Sequence, residues 1–239
     1  MHKYLISFLL IFSTTTYSDE TISVWVRDYF ERIHKSINEE NYEKALQELQ
    51  TANERYFRGG RTYEAALLYQ LYGQFYALQN KYTEALPWFE KSLGTEKLPR
   101  IGAQEVRFQL AQTYFMVGKY ENVVPLLNDY INIGTKYSYP ISARINLLLA
   151  YSHGRMDEYK EAYFHITQAN NKADKPQIEW IEYAFSLAMK LNNLDDAENL
   201  STRLLFLKPE KKKYWNQASA LYFAKDFEID SLSALELAY

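Results

Sequence analysis

Histidines are the residues of this sequence most able to bind a metal ion. Beyond His2, histidine occurs only at His34, His153 and His165, and the chain contains no cysteine. A zinc site on one helix needs a His-x-x-x-His or His-Glu-x-x-His spacing, which the sequence lacks. His153 and His165 could meet across one helical hairpin, and we interpret them as two structural histidines rather than a metal site. We therefore expect no metal and no cofactor.

Acidic pairs are the other groups that could do chemistry. Glu39-Glu40 and Asp195-Asp196 resemble the two carboxylates that a glycosidase requires. Both pairs lie near the predicted start of a helix, where negative charge complements the helix dipole. The sequence also lacks a glycine-rich phosphate-binding loop and a Gly-x-Ser-x-Gly nucleophile turn. We predict that the protein has no catalytic residues and is not an enzyme.

The charge balance argues against binding to nucleic acid. The chain has 27 basic and 30 acidic side chains, which gives a formal net charge of -3. Its one basic cluster, Lys208 and Lys211–Lys213, lies beside Pro209 in a predicted turn between helices. Phosphate binding needs clustered positive charge on a folded surface, whereas this cluster is typical of a solvated loop. We expect a protein or peptide partner and no nucleic acid.

The N-terminal residues have the pattern of a secretory signal peptide. Lys3 precedes an apolar run from Tyr4 to Phe12, and small polar residues continue to Ser18. The run is shorter than the roughly 20 residues that a membrane-spanning helix needs. We therefore predict a signal peptide over 1–18, export, and no membrane span in the mature chain; an uncleaved membrane anchor is the alternative. Without cysteine, the chain has no acceptor for a lipid anchor and no disulfides.

A repeated phrase organises the rest of the chain. It consists of an aromatic or apolar residue, two residues that include an acid, and a small residue. It occurs at Tyr42–Ala45, Tyr82–Ala85, Tyr120–Val123, Tyr159–Ala162 and, weakly, Leu194–Ala197. Successive small residues are 35 to 40 positions apart. With only 8 glycines and 6 prolines in the chain, this period predicts a stack of two-helix units that bury their apolar faces against one another.

A second set of compact residues supports this prediction. Gly73, Ala111 and Ala150 lie twelve positions before small residues of the phrase, where two closely packed helices need paired small side chains. Pro209 lies twelve positions after Ala197, where the second helix must end. These positions resemble the tetratricopeptide repeat (TPR). The resemblance implies an all-α, TPR-like α-solenoid of about six antiparallel helix pairs that form a right-handed superhelix.

We expect one TPR-like helical domain over residues 19–239. The stretch 22–39 has apolar residues at helical spacing without the repeated phrase, which is typical of an atypical terminal unit. The predicted pairs are an atypical first pair over 22–57 and repeats over about 61–93, 99–133, 138–171, 176–207 and 211–239.

The C-terminal sequence resembles a narrower family. It contains Lys211-Lys-Lys-Tyr-Trp215 and ends in Ala234-Leu-Glu-Leu-Ala-Tyr239, and the run Gln109–Phe115 adds to the resemblance. These motifs are similar to those of gammaproteobacterial TPR proteins associated with TonB energy-transduction systems. Members of that family are exported to the periplasm, and they typically continue past the last motif with further repeats. The resemblance implies a periplasmic location in a Gram-negative bacterium and partners among TonB, ExbB and ExbD homologues.

The first helix of each pair is expected to line the concave side of the solenoid, which is the default binding surface. Counting from the compact residues Gly73, Ala111 and Ala150 gives ten candidate groove residues. They are Gln70, Gln74, Phe108, Gln112, Phe115, Met116, Arg144, Leu147, Tyr151 and Arg155. Aromatic, amide and arginine side chains of this kind suit an extended peptide. The alternative is that Phe108, Phe115 and Met116 fill the interior of a tightly wound stack.

Together these features predict a non-catalytic periplasmic adaptor for protein-protein interaction, and the resemblance suggests an accessory component of a TonB-ExbB-ExbD transport complex. One alternative is a scaffold for pilus, outer-membrane or envelope assembly. Another is a regulator of a cell-wall enzyme.

Overall fold

The computed structural model describes residues 24–56, 62–175, 177–226, 232–234 and 236–237. These residues form helices and connecting turns, and none of them lies in a strand. The helices are α1 (Val24–Asn38), α2 (Tyr42–Tyr56), α3 (Tyr63–Leu78), α4 (Tyr82–Gly94), α5 (Arg100–Met116), α6 (Tyr120–Lys136), α7 (Ala143–Arg155), α8 (Tyr159–Lys172), α9 (Ile178–Lys190), α10 (Leu194–Leu207) and α11 (Lys212–Ala224). Residues 232–234 and 236–237 are also helical. The predicted signal peptide over 1–18 lies outside the described residues.

The helices alternate in the way that the repeat predicts. Odd-numbered helices are the first helices of pairs, and α2, α4, α6, α8 and α10 are the second helices. Three residues separate the two helices of each described pair, which is short enough to force an antiparallel arrangement. None of the described helices is both long enough and apolar enough to cross a bilayer.

The turn inside each pair has one recurring conformation. Its middle residue has a positive φ: 55° at Glu40, 59° at Asn80, 80° at Gly118, 61° at Asp157 and 56° at Asn192. The next amide donates to the carbonyl oxygen five residues earlier, as from Lys81 to Tyr76 and from Glu158 to His153. This closure satisfies a carbonyl at the end of the first helix and reverses the chain. The repeated phrase begins directly after this turn.

The small residues of the phrase are fully buried, which confirms their predicted role in helix packing. Ala45, Ala85, Val123, Ala162 and Ala197 all have no exposed surface. Gly73 shows why the first helix also needs a compact residue. A Cβ atom built at Gly73 would lie 2.6 Å from Cε1 of Phe89 on α4, closer than packed carbon atoms approach.

The chain divides into two compact units, residues 1–119 and 120–239. The predicted repeat 99–133 spans this division, since α5 belongs to the first unit and α6 to the second. Within the first unit, α4 packs against both α3 and α5. Within the second unit, α8 packs against α7 and α9, and α10 packs against α9 and α11. In each unit a second helix therefore bridges successive first helices, as in an α-solenoid.

Apolar side chains from consecutive helices form the core of each unit. In the first unit, Phe30 and Ile33 of α1 join Leu49 of α2 and Leu68 of α3. In the second unit, Ile166 of α8 packs in one cluster with residues of α7 and α9, and a further cluster joins α9, α10 and α11. The apolar faces of adjacent pairs are thus buried against each other, which a single pair could not achieve.

Ser201 of α10 is a polar exception in this core. It is only 4% exposed, and its hydroxyl makes no hydrogen bond to any described residue. Burial without a partner costs free energy, and alanine has the higher helix propensity. We expect Ser201→Ala to raise the free energy of unfolding by about 0.5–1.5 kcal/mol in urea denaturation.

Ser186→Ala on α9 is the matched control, because Ser186 is exposed. It should gain only the propensity difference of about 0.5 kcal/mol or less. A loss of stability on Ser201→Ala would contradict the interpretation and show that the buried hydroxyl is satisfied.

Candidate functional site

The ten predicted groove residues all lie on first helices of the structure. Gln70 and Gln74 are on α3; Phe108, Gln112, Phe115 and Met116 are on α5; Arg144, Leu147, Tyr151 and Arg155 are on α7. Their exposure differs widely. Arg144 and Arg155 are exposed, whereas Phe108, Gln112, Met116 and Tyr151 are half-buried. Gln70, Gln74, Phe115 and Leu147 are buried, with at most 8% of their surface exposed.

The buried amides of the first unit bond to each other. Gln70 Nε2 of α3 donates to Gln109 Oε1 of α5 at 3.2 Å, and both side chains are 6% exposed. Gln70 therefore links two successive first helices. Because Gln70, Gln74, Phe115 and Leu147 have so little free surface, they offer little contact area to a partner.

The second unit has a more accessible set of side chains on its first helices, here called the α7–α9–α11 face. The rings of Tyr151 on α7 and Tyr183 on α9 stack with their centroids 4.9 Å apart. The Tyr183 hydroxyl donates to the carbonyl oxygen of Ala150 at 3.3 Å. A Cβ atom at Gly154 would overlap this hydroxyl, so glycine at that position makes room for the stacked pair.

Glu182 extends the α7–α9–α11 face to the last described first helix. Its Oε1 accepts hydrogen bonds from the Tyr214 hydroxyl and from Lys213 Nζ of α11, both at 2.8 Å. The contact with Lys213 is also an ion pair. Polar and aromatic contacts thus join α7 to α9 and α9 to α11, while apolar residues form the cores behind them.

Burial keeps the phenols of this face protonated. Burial, followed by the charges of Tyr151 and Tyr159, raises the pKa of Tyr183 to about 12, although Arg155 opposes the shift. Burial and then the hydrogen bond to Glu182 raise the pKa of Tyr214 to about 12. Both hydroxyls therefore act as hydrogen-bond donors at neutral pH, and neither is suited to serve as a base.

Glu179 is the exposed carboxylate of the α7–α9–α11 face. Its charge contributes to raising the pKa of Tyr151 on α7 and the pKa of Tyr214 on α11, after burial in both cases. Glu179 therefore lies between the two tyrosines, on the α9 side of the face. Arg144 and Arg155 lie on the α7 side and form no ion pair with any described residue.

His153 and His165 do meet across one helical hairpin, α7–α8, as the sequence predicted. Their rings stack with centroids 5.4 Å apart and an interplanar angle of 4°. His153 Nδ1 lies 2.6 Å from Glu158 Oε2, and His165 Nδ1 lies 3.3 Å from Asn146 Oδ1. Burial, then the charge of His153, lowers the pKa of His165 to about 4. Among the described residues, no cluster of three or more potential metal ligands occurs.

The sequence argument missed the α9 and α11 residues of this face, namely Glu179, Glu182, Tyr183 and Tyr214. Phe185 lies near the position where a small residue was expected, so the offsets used for α7 could not be transferred to α9. A shorter period would have found two of the contacts. Tyr183 lies 32 residues after Tyr151, and Tyr214 lies 32 residues after Glu182.

Comparisons with known proteins identify the fold. No protein-family model and no curated protein sequence matches the chain. The structure is similar to that of YrrB, a TPR protein with an unusual peptide-binding site, with a TM-score of 0.62 and 15% identity over 80% of this chain and 90% of YrrB. It is equally similar to MamA from Desulfovibrio magneticus RS-1, with a TM-score of 0.62 and 15% identity over 80% of this chain and 98% of that chain. The chain therefore has a TPR-like fold.

Proposed function

We propose that this protein is a non-catalytic adaptor that binds a segment of another protein on the α7–α9–α11 face. The observation that carries the proposal is the set of accessible side chains on successive first helices. Arg144, Arg155 and Glu179 are exposed beside the stacked rings of Tyr151 and Tyr183. Tyrosine and arginine are the residues most often found at the energetic centres of protein interfaces. YrrB, which shares the fold, has a peptide-binding site.

The N-terminal pattern and the C-terminal motifs support a more specific proposal. The signal-peptide pattern over 1–18 favours export to the periplasm. The resemblance at Lys211–Trp215 favours a role beside TonB, ExbB and ExbD homologues. In the structure, two residues of that motif make internal contacts: the Tyr214 hydroxyl donates to Glu182, and Trp215 Nε1 donates to the Pro209 carbonyl at 2.8 Å. We therefore assign these two side chains to the last described helix pair and not to partner contact.

Site-specific photo-crosslinking in cells tests the adaptor function. A photoreactive phenylalanine analogue is placed at Tyr151 and at Glu179 on the α7–α9–α11 face. Matched control positions are Phe164 and Phe206 on second helices, which are 58% and 85% exposed. We expect one discrete protein to be captured from the two first-helix positions and not from the controls.

The identity of the captured protein separates the possible systems. A TonB, ExbB or ExbD homologue would support the specific proposal. A pilus or outer-membrane assembly component would favour a scaffold, and a muramidase or amidase would favour a regulator of a cell-wall enzyme. If both sets of positions capture the same proteins with equal yield, or capture nothing, the α7–α9–α11 face is not the binding surface.

A further inference from the structure

Two arginines on α7 form a stripe with Tyr151 along one side of the helix. Arg155 follows Arg144 by eleven residues, which corresponds to about three turns and an axial distance of about 16 Å. Tyr151 lies seven residues after Arg144, about two turns along the same side. Both arginines are exposed, and the ring of Tyr151 is half-buried. We call these three residues the α7 stripe.

The two arginines differ from other cations of the second unit in having no partner among the described residues. Lys213 pairs with Glu182, and Lys225 pairs with Asp195 and Glu198. Lys190 lies over the ring of Tyr159, 3.6 Å from its centroid. Arg144 and Arg155 appear in no such contact with the described residues. Two guanidinium groups on one side of a helix therefore present ten N–H donors in a geometry that suits carboxylates.

The opposite edge of the same face has the opposite charge. Glu179 on α9 is exposed and is close enough to Tyr151 to contribute to raising the pKa of that phenol. An acidic chain that shifted from α7 towards α9 would meet this carboxylate and be repelled. The charges thus favour an acidic occupant that runs along α7, with the aromatic ring beneath its centre.

We propose that the α7 stripe binds an extended acidic segment of a partner protein. Two carboxylates of the segment pair with Arg144 and Arg155, and an apolar side chain between them packs on Tyr151. Since an extended chain advances about 3.3 Å per residue, a distance of about 16 Å requires carboxylates about five residues apart. This proposal rests on the proposed adaptor function and specifies the chemistry of the partner.

Fluorescence anisotropy with synthetic peptides tests the spacing. The probe is a fluorescein-labelled decapeptide with two glutamates five positions apart and a leucine midway between them. One comparison peptide has the same composition with adjacent glutamates, and another has lysines in place of the glutamates. We expect the five-residue spacing to bind most tightly at low salt and to weaken at high salt, because exposed ion pairs are screened.

Charge reversal tests the residues. Arg144→Glu with Arg155→Glu should weaken binding of the spaced decapeptide by about tenfold, because two attractive contacts become repulsive. The matched control is Lys160→Glu with Arg203→Glu, which makes the same change in net charge at exposed positions of the second helices α8 and α10. The control should weaken binding by less than about twofold, since those charges lie away from the stripe. Circular dichroism checks that both variants keep the helical content of the parent chain.

Three results would overturn the proposal. They are equal losses in the two double variants, equal affinity for the spaced and adjacent glutamates, and no binding of either acidic peptide by the unmodified protein. The adaptor function can survive this failure. If crosslinking from Tyr151 captures a discrete partner while the acidic peptides do not bind, the face is a binding surface for a segment of different chemistry.

Discussion

Gly73→Ala is expected to destabilise the native protein but to stabilise a variant that lacks the Phe89 ring. Phe89 on α4 is 1% exposed, and a Cβ atom at Gly73 on α3 would lie 2.6 to 2.8 Å from three atoms of its ring. The ring is held in the core and cannot move aside freely. In the native background, overpacking should therefore lower the free energy of unfolding by about 1–3 kcal/mol.

Removal of the ring changes the sign of the effect. Phe89→Ala alone should lower the free energy of unfolding by about 3–5 kcal/mol, because it removes a buried aromatic side chain and leaves a cavity. In that background an alanine at position 73 no longer meets the ring. The higher helix propensity of alanine then dominates, and Gly73→Ala should raise stability by about 0.5–1 kcal/mol.

A double-mutant cycle measured by urea denaturation checks this reversal, because it isolates the coupling between the two positions. Gly94→Ala on α4 is the control, since a Cβ atom there would meet nothing within 4 Å. Its effect should be the same with and without Phe89. If Gly73→Ala destabilises both backgrounds equally, contact with Phe89 is not the reason for glycine at position 73.

The same close packing explains why the fold could be predicted from the sequence. Helices of a pair approach closely only where both side chains are small, so the repeat keeps residues such as Ala85 and Ala162 at fixed positions. Both are fully buried in the structure. The spacing of such residues reports the helix pairs directly, and the observed pair Tyr63–Gly94 differs from the predicted 61–93 by two residues at most.

The turns were less visible in the sequence, although their conformation is constant. The residue with positive φ is Glu40, Asn80, Gly118, Asp157 or Asn192, and these side chains have little in common. Glycine adopts this conformation freely, and asparagine and aspartate tolerate it well. Glu40 has no such preference, which indicates that the packed helices on either side hold its backbone in place.

The candidate site could be predicted only in part, because helical offsets give the direction of a side chain and not its distance from the next helix. Gln70 and Arg144 were selected by the same kind of counting. Gln70 meets Gln109 of the next first helix and is buried, whereas Arg144 is exposed. Only the spacing between successive first helices distinguishes these outcomes. The residues of α9 were missed for a related reason, since the local period there is shorter.

His165 should make the protein less stable as the pH falls from about 6.5 to about 4. Its pKa in the folded chain is lowered to about 4, mainly by burial and then by the charge of His153, although Glu161 opposes the shift. A histidine in the unfolded chain has a pKa near 6.5. Between these two values the unfolded chain binds more protons than the folded chain, so acidification favours unfolding. The penalty is absent above about pH 6.5 and complete below about pH 4.

The expected loss is on the order of 2 kcal/mol once the partial exposure of His165 is taken into account. Burial also lowers the pKa of His34 in the first unit, which adds a loss of the same sign. Urea denaturation over this pH range, with His165→Gln as the test variant, measures the contribution of His165. Glutamine cannot be protonated but retains an amide that can bond to Asn146, so the variant should lose less stability on acidification than the parent chain.

Carboxylates also titrate near pH 4, and the comparison between variants removes their contribution, because His165→Gln leaves Glu158 and Glu161 in place. His34→Gln provides a second comparison in the other unit. If the parent and His165→Gln lose the same stability between pH 6.5 and 4, His165 accepts its proton as readily in the folded chain as in the unfolded one. The stacked pair with His153 would then carry a charge at mildly acidic pH, contrary to the neutral pair that its burial predicts.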